Sequence, residues 1–322
     1  MEGAPPSQPR AVDCACFNSP YGELLPRFAA EVVRDLGFDG IWFDHSTFSN
    51  HETGPWFAPG CRCGFCRRRF RRDAGLDLPA RVDYADSTFK RWVQWRYDVL
   101  MQVWKACVDA VTAVRSDAVV CFNNYRRRGR RPFGWNTAIP LRRLGWDCLM
   151  SGEFDGFPHQ ADFQMKINRA YGCTRGVESW WPLNDGVVAW VPDHDPLPAI
   201  QAHLGAISAG GAASMGVGVS VKVFAPVLAA VQRQAGPRIS FNDGQTVEYA
   251  ALWCSQQHQD FACSRQPDEA WDQWHGMNEI CRHAHLQTSV VFDDHLEHSE
   301  LDRYPVLLVG ETRCISRAQA AQ

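Results

Sequence analysis

Short apolar segments alternate with amphipathic helical segments along most of this 322-residue chain, and this alternation most constrains its fold. Leu24 to Leu36 has helical periodicity, and the apolar run Gly40 to Phe43 follows it directly. A long helix is predicted for residues 85–115, and it leads into a second apolar run, Ala118 to Phe122. Strands that alternate with helices pair in parallel, and continuous apolar strands are covered on both faces. The sequence therefore predicts a parallel α/β fold.

The same alternation continues in the middle of the chain. Further strands are predicted for residues 146–151, 173–177 and 212–219, with helices near 158–171 and 196–209 between them. Because the strands are separated by helices throughout, residues 12–235 are expected to form five consecutive parallel strands with helices on the outside.

A polar residue stands at or just beyond the C-terminal end of four predicted strands. These residues are Asp44, Asn123, Glu153 and Glu178. In a (β/α)8 TIM barrel the C-terminal strand ends converge on one active site, whereas a doubly wound sheet gathers its ligands at a single switch point. Since the polar residues recur strand after strand, the sequence favours a partial (β/α)8 TIM barrel in residues 12–235.

A break near residues 236–246 separates this pattern from a second one, because Gly, Pro, Asn and Asp are frequent there. Strands are predicted at 247–253, 287–292 and 305–309, with a helix at about 268–284 and another from Ser316. Residues 246–322 are therefore expected to be the start of a second α/β domain.

The segment Cys61 to Cys66 places three thiols within six residues, directly before a predicted helix at 67–73. Three sulfurs at this spacing suit tetrahedral zinc, which needs a fourth ligand, and either Cys14 or Cys16 could supply it. A closed site of four thiolates would be structural, and the alternative is a set of free thiols without metal. Reduced thiols with one metal site fit the thirteen cysteines better than a disulfide framework, which favours the cytoplasm.

Three carboxylates at the predicted strand ends are candidate catalytic groups. Hydrolysis of a glycosidic bond usually takes two carboxyl groups, one as proton donor and one as nucleophile or base. Asp44, Glu153 and Glu178 are therefore catalytic candidates, although any one of them alone could be a salt-bridge partner or a helix N-cap.

Four further residues are candidates for binding a sugar. Trp180 and Trp181 follow Glu178 closely, and an indole can stack on the C–H face of a sugar ring, although tryptophans also fill large cores. Asn123 ends a predicted strand, and His45 either lines the same pocket or caps a turn.

The net charge of −3 argues against binding to nucleic acid or to an anionic membrane surface. The sequence contains no apolar run of the roughly 18 residues that a membrane helix needs. Nucleic acid and membrane are therefore not expected as partners.

Three motifs resemble those of hypothetical glycoside hydrolases related to the family 42 β-galactosidases. They are Cys16-Phe-Asn-Ser-Pro-Tyr21, Asp39-Gly-Ile-Trp-Phe-Asp44 and Cys61-Arg-Cys-Gly-Phe-Cys66. The resemblance implies a carbohydrate substrate. It also implies a structural zinc ion and selects Cys16 over Cys14, so that the implied ligands are Cys16, Cys61, Cys63 and Cys66.

The second domain shows the same resemblance. Val247 to Trp253 and Leu301 to Leu308 look like the flavodoxin-like trimerisation domain that follows the barrel in that family. The resemblance implies a homotrimer for the full-length protein. Since three strands of the family's barrel are expected before Cys16, and the chain ends within a predicted helix, the sequence is expected to be a fragment.

The motifs also depart from the family pattern. Ser46 stands where the resemblance places the acid/base glutamate, and Asp44 is the nearest carboxylate. Glu178 lies in the region that resembles the nucleophile site, and Glu153 competes for that role. The expected activity is therefore hydrolysis of O-glycosidic bonds of an unspecified sugar, with fucosides as open as galactosides. The alternative is a non-catalytic carbohydrate-binding relative or an inactive gene fragment. A zinc-dependent hydrolase is disfavoured because four thiolates leave no open metal position.

Overall fold

The computed structural model describes residues 15–43, 61–81, 83, 85–123, 148–153, 160–170, 172, 177–181, 197–209, 212–215, 221–237, 247–262 and 269–321. Helices and strands alternate in its first part, as the periodicity predicts. The elements are α1 (Tyr21–Leu36), β1 (Gly40–Phe43), α2 (Gly64–Ala74), α3 (Ser87–Val114), β2 (Val119–Asn123), β3 (Cys148–Glu153), α4 (Gln160–Ala170), β4 (Val177–Trp181), α5 (Leu197–Ser208), β5 (Ala212–Met215) and α6 (Val221–Ala235).

These five strands form one parallel sheet in the order β1-β2-β3-β4-β5. The register aligns Phe43 with Phe122, Phe122 with Met150, and Met150 with Val177, so that one row of residues crosses four strands. Strands that neighbour each other in sequence are therefore also neighbours in the sheet, with a helix before each new strand wherever one is described.

The second part contains a separate parallel sheet. Its elements are β6 (Ala250–Trp253), α7 (Gln256–Phe261), α8 (Glu269–His283), β7 (Thr288–Val291), α9 (Asp293–Glu297), β8 (Val306–Val309) and α10 (Arg317–Ala320). The strand order is β7-β6-β8, with β6 in the middle. The described part of the chain is thus a mixed α/β structure with two parallel sheets.

Helix boundaries follow from local chemistry. The side chain of Asp86 accepts a hydrogen bond from the backbone N–H of Thr88 at 2.8 Å and so caps the start of α3. Helices α1 and α2 end at Gly37 and Gly75, whose φ angles of 69° and 68° are left-handed and favour glycine.

Helix α3 packs an aromatic side chain against one face of the five-stranded sheet at β1 and β2. The ring of Trp104 stacks on Phe122 with 4.3 Å between centroids, and Phe122 stacks on Phe43 at 5.2 Å. All three side chains are buried, so this face of β1 and β2 belongs to the core. Because successive residues of a strand alternate between faces, Cys121 and Asn123 occupy positions on the opposite face.

Polar and apolar contacts connect the two parts of the chain. Lys166 on α4 donates hydrogen bonds to Asn278 on α8 at 2.8 Å and to Thr288 on β7 at 3.0 Å. Next to them, the ring of Phe163 lies 5.3 Å from that of Trp271. Burial lowers the pKa of Lys166, and the nearby carboxylate of Asp162 partly offsets this effect.

The strand predicted for residues 173–177 is displaced in the structure. Strand β4 runs from Val177 to Trp181, so Glu178 is its second residue and does not follow its C-terminal end. The prediction was wrong because the polar pair Glu178 and Ser179 interrupts the apolar run by which the strand was located.

Candidate functional site

The four predicted metal ligands Cys16, Cys61, Cys63 and Cys66 lie together. Their sulfur atoms are all within 4.8 Å of one another. Sγ of Cys16 is 3.4 Å from Sγ of Cys66 and 3.5 Å from Sγ of Cys63. A tetrahedral ion with metal–sulfur bonds of about 2.3 Å would place its sulfurs about 3.8 Å apart. The residues therefore fit one metal ion. Cys14, the alternative ligand, lies outside the described residues.

Two short segments position these cysteines. Cys63 is the N-cap residue of α2, and Cys66 is buried in the first turn of that helix. Cys16 precedes α1 in a turn closed by Ser19, whose backbone N–H and hydroxyl donate to the Cys16 carbonyl at 2.9 and 2.6 Å. The same turn requires Gly22, because a Cβ atom there would lie 2.0 Å from the carbonyl oxygen of Phe17.

The thiols of Cys16, Cys61 and Cys66 shift one another's pKa values. Hydrogen bonds from Cys16 and Cys66 lower the pKa of Cys61 to about 2. The bond to Cys61 in turn raises the pKa of Cys16 to about 12, and contact with Cys16 and Cys61 raises that of Cys66 as well. A bound divalent cation would reverse this pattern, because it stabilises all four thiolates.

Asn18 and Arg69 support the cysteine cluster from outside, and sequence reasoning did not find them. The side-chain amide of Asn18 donates to Sγ of Cys66 at 3.2 Å, and its backbone N–H donates to Sγ of Cys16 at 3.4 Å. Arg69 on α2 donates to the amide oxygen of Asn18 at 2.9 Å. This contact fixes which end of the amide points at the sulfur. Partners of this kind orient metal ligands and stabilise thiolates.

The strand register relates Asn123, Glu153 and Glu178 to one another. Asn123 pairs with Ser151, and Ser151 pairs with Glu178, so these residues form one row across β2, β3 and β4. Glu153 pairs with Trp180, two positions further toward the C-terminal ends. The two glutamates are therefore diagonal neighbours on adjacent strands. The other two predicted site residues, Asp44 and His45, lie outside the described residues.

The residues of this row alternate with Phe122 and its neighbours in the sheet, and the ring of Phe122 packs against α3. Positions of one parity share a face of a sheet, which places Asn123, Glu153, Glu178 and Trp180 on the face away from α3. Trp181 follows Trp180 directly on β4 and therefore occupies a position on the other face, the face of Phe122.

Trp42 on β1 belongs to the same face, because it pairs with Cys121, whose parity matches that of Asn123. Its side chain is 44% exposed, and β1 is the end strand of the described sheet order. Trp42 is therefore a further candidate for contacting a ligand. Its position in an apolar run gave no sign of this in the sequence.

Among the helices that the structure describes, none combines the length and apolar character needed to cross a bilayer.

No protein-family model matches the chain, and no curated protein is similar to it in sequence. Its fold is similar to that of solved structures of two enzymes. The first is α-L-fucosidase isoenzyme 2 from Paenibacillus thiaminolyticus, with a TM-score of 0.52 and 14% identity over 94% of this chain. The second is the β-galactosidase from the psychrophilic Marinomonas ef1, with a TM-score of 0.49 and 15% identity over 77% of this chain.

The chain spans 42% of the fucosidase structure and 44% of the β-galactosidase structure. At 14% identity, the similarity to the fucosidase concerns the fold alone. The chain has a glycoside-hydrolase-like fold.

Proposed function

We propose that this chain hydrolyses O-glycosidic bonds with a pair of carboxylates. One observation carries the proposal: Glu178 and a second carboxylate, Glu153, occupy neighbouring positions on the sheet face opposite α3, and Asp44 directly follows β1 of the same sheet. Glycosidases of both stereochemical classes use two carboxyl groups that flank the scissile bond. The glycoside-hydrolase-like fold supports the same conclusion.

In this proposal Asp44 and Glu178 are the catalytic pair. Asp44 directly follows β1 in sequence, and Glu178 lies on β4, so two strands separate them in the sheet. One carboxylic acid protonates the leaving oxygen, and the other carboxylate attacks the sugar or activates a water molecule. Glu153 hydrogen-bonds sugar hydroxyls.

The other candidate residues bind the sugar. Trp180 and Trp42 provide indole faces for stacking, and Asn123 and His45 provide hydrogen bonds, whereas Trp181, which has the opposite parity, takes no part in this proposal. The 44% exposure of the Trp42 side chain supports this role.

The wider context follows from the resemblance to relatives of the family 42 β-galactosidases. Residues 12–235 are part of a TIM barrel, and residues 246–322 begin a flavodoxin-like domain that supports a homotrimer in the full-length protein. The single parallel sheet β1 to β5 and the strand order β7-β6-β8 are compatible with these two assignments. Reduced cysteines are consistent with a cytoplasmic protein.

Zinc is the metal that the cysteine cluster is proposed to hold. Four thiolates with sulfur separations near those of a tetrahedron are typical of structural zinc sites. Such a site leaves no open coordination position, so the ion would stabilise the fold and take no part in hydrolysis.

The test is a panel of aryl glycosides, including fucosides and galactosides, assayed with wild type, Asp44→Asn and Glu178→Gln. Both variants keep the side-chain shape and remove the ionisable group, so each is expected to lose about three orders of magnitude in turnover. Glu31→Gln on the exposed surface of α1 is the matched control and should retain activity. Wild-type rates in both variants, on a substrate that the protein cleaves, would contradict the assignment.

The alternative function is carbohydrate binding without catalysis. Ser46 favours it, because the resemblance places the acid/base glutamate at that position. Binding of sugars in calorimetry without cleavage of any aryl glycoside would support the alternative. Recovery of turnover in Ser46→Glu would identify the missing acid as the cause.

A further inference from the structure

A groove lined by arginines runs along α2 and the segment that follows it. Its volume is about 600 Å³, and its lining residues are Arg62, Arg67, Arg68, Arg71, Arg72, Asp77 and Leu78. Five guanidinium groups and one carboxylate give this arginine groove a net charge of +4, whereas the whole chain carries −3. Positive charge is therefore concentrated on this one surface.

Carboxylates neutralise only part of this charge. Arg71 forms an ion pair with Asp77, and Arg72 forms one with Asp73. Over the described residues, no carboxylate pairs with Arg67 or Arg68, and both side chains are exposed. Two cations at the centre of the groove are thus available to an anion.

Contacts with uncharged groups hold these side chains in place. The guanidinium of Arg62 donates to the carbonyl oxygens of Pro79 and Ala80. Nε of Arg67 donates to the carbonyl oxygen of Arg62 at 3.0 Å, which leaves its two terminal nitrogens for other partners. Such fixed positions reduce the conformational entropy that a ligand would have to remove.

The arginines also repeat along the helix. Arg68 and Arg72 are four residues apart, as are Arg67 and Arg71, and residues at this spacing lie on the same side of a helix. The guanidinium of Arg68 lies 4.9 Å from the centroid of the Phe65 ring, which is itself 41% exposed. The groove therefore offers repeated planar donors beside an exposed aromatic ring.

We propose that the arginine groove binds an anionic polysaccharide whose sugars carry carboxylate or sulfate groups. Guanidinium groups bind such oxyanions through two parallel hydrogen bonds, and repeated anions on a polymer match repeated arginines on a helix. The inference rests on the proposed glycosidase function, which makes a glycan the ligand class. Nucleic acid is a poorer match, because domains that bind it are usually strongly basic overall and this chain has a net charge of −3.

The experiment measures binding of the full chain to dextran sulfate, to neutral dextran and to duplex DNA by affinity electrophoresis. The test variant is Arg67→Gln/Arg68→Gln. A second variant, Arg67→Lys/Arg68→Lys, keeps the positive charge but removes the planar guanidinium groups that donate two parallel hydrogen bonds. The matched control is Arg27→Gln/Arg317→Gln, which removes two exposed arginines elsewhere. Metal content and melting temperature are compared for all variants, because Arg67 follows the ligand Cys66.

Dextran sulfate should bind wild type and the control equally, with an affinity that falls steeply as salt rises. The glutamine variant should bind about tenfold more weakly or worse, and the lysine variant should lie between. Equal binding by wild type and the glutamine variant would overturn the proposal, as would equal binding of neutral dextran or tighter binding of DNA. Failure of the proposed hydrolysis is a separate result, read as absent cleavage of neutral aryl glycosides by wild type.

Discussion

The side-chain amide of Asn18 donates a hydrogen bond to Sγ of Cys66 over 3.2 Å, although 48 positions separate the two residues in sequence. Arg69 orients that amide from its other end. The cysteine cluster is therefore supported by a side chain from the turn before α1 and by another from α2.

Removal of this support should loosen the metal without unfolding the chain. Asn18→Ala loses the donor to Cys66, and we expect release of the metal to a chelator to accelerate about tenfold or more. Gln94→Ala is the control, because the Gln94 amide donates to Asp98 on α3 at 3.1 Å and to no residue of the cluster or its support. Equal release rates in both variants would show that the bond to Cys66 contributes nothing to metal retention.

The purified protein should contain about one zinc ion per chain, measured by elemental analysis. Cys63→Ser should lose the metal and destabilise the fold by about 3 kcal/mol or more in denaturant unfolding. Cys314→Ser replaces a half-buried cysteine outside the cluster and should keep its zinc. Metal-free wild type with four freely titrating thiols would contradict the assignment.

Stability should fall in mild acid because of His258. This residue is buried, and its Nδ1 accepts a hydrogen bond from the backbone N–H of Arg313 at 3.1 Å, which only the neutral ring can do. Burial, and then the charge of Arg313, lower its pKa below the ordinary 6.5, while Glu269 and Glu311 oppose this shift.

The direction of this pH effect on stability follows from the number of protons that the folded and unfolded chains bind. Between the lowered folded pKa and 6.5, the unfolded chain binds more protons than the folded chain, so stability decreases as pH falls through this range. His258→Gln should flatten that dependence in urea unfolding at a series of pH values. His283 is an exposed histidine on α8, and His283→Gln should keep the pH dependence of the wild-type unfolding free energy. A slope unchanged by His258→Gln would assign the acid sensitivity to other groups.

The two glutamates of β3 and β4 should differ in kinetic effect. Glu178→Gln should lower kcat by about a thousandfold or more, because the reacting carboxyl group is lost. Glu153→Gln should mainly raise KM, by about tenfold, because it weakens contacts to sugar hydroxyls. The reverse result, with kcat lost in Glu153→Gln and retained in Glu178→Gln, would exchange the two roles.

Sequence periodicity predicted most of the long helices because each has a sufficient apolar repeat, but it missed the 15-residue helix α6, which contains Pro226. α3 has 28 residues and was expected at 85–115, and its observed range is Ser87–Val114. The helices α7 and α9 were not predicted, because six and five residues are too few to show a period. They depend on local contacts, such as the bond from the backbone N–H of His258 to the Ser255 hydroxyl.

The site residues were predictable only where they stand close together in the sequence. Cys61, Cys63 and Cys66 signal a metal by their spacing alone, and Cys16 required a resemblance. The role of Asn18 depends on a turn and a helix that are far apart in sequence, so no local pattern contains it. The exposure of Trp42 likewise depends on what covers the sheet, and an apolar run does not encode that.

The separation of Cys16 from Cys66 has a consequence for the life of the protein in the cell. A metal ion that joins these residues, 50 positions apart, closes a loop containing α1 and β1. Because the folded chain binds the ion and the unfolded chain lacks a preformed site, the free energy of metal binding adds to the free energy of folding. Newly made chains that fail to acquire the ion would leave this loop open and be degraded preferentially, because proteases remove unfolded segments. Metal supply would then set the abundance of the protein.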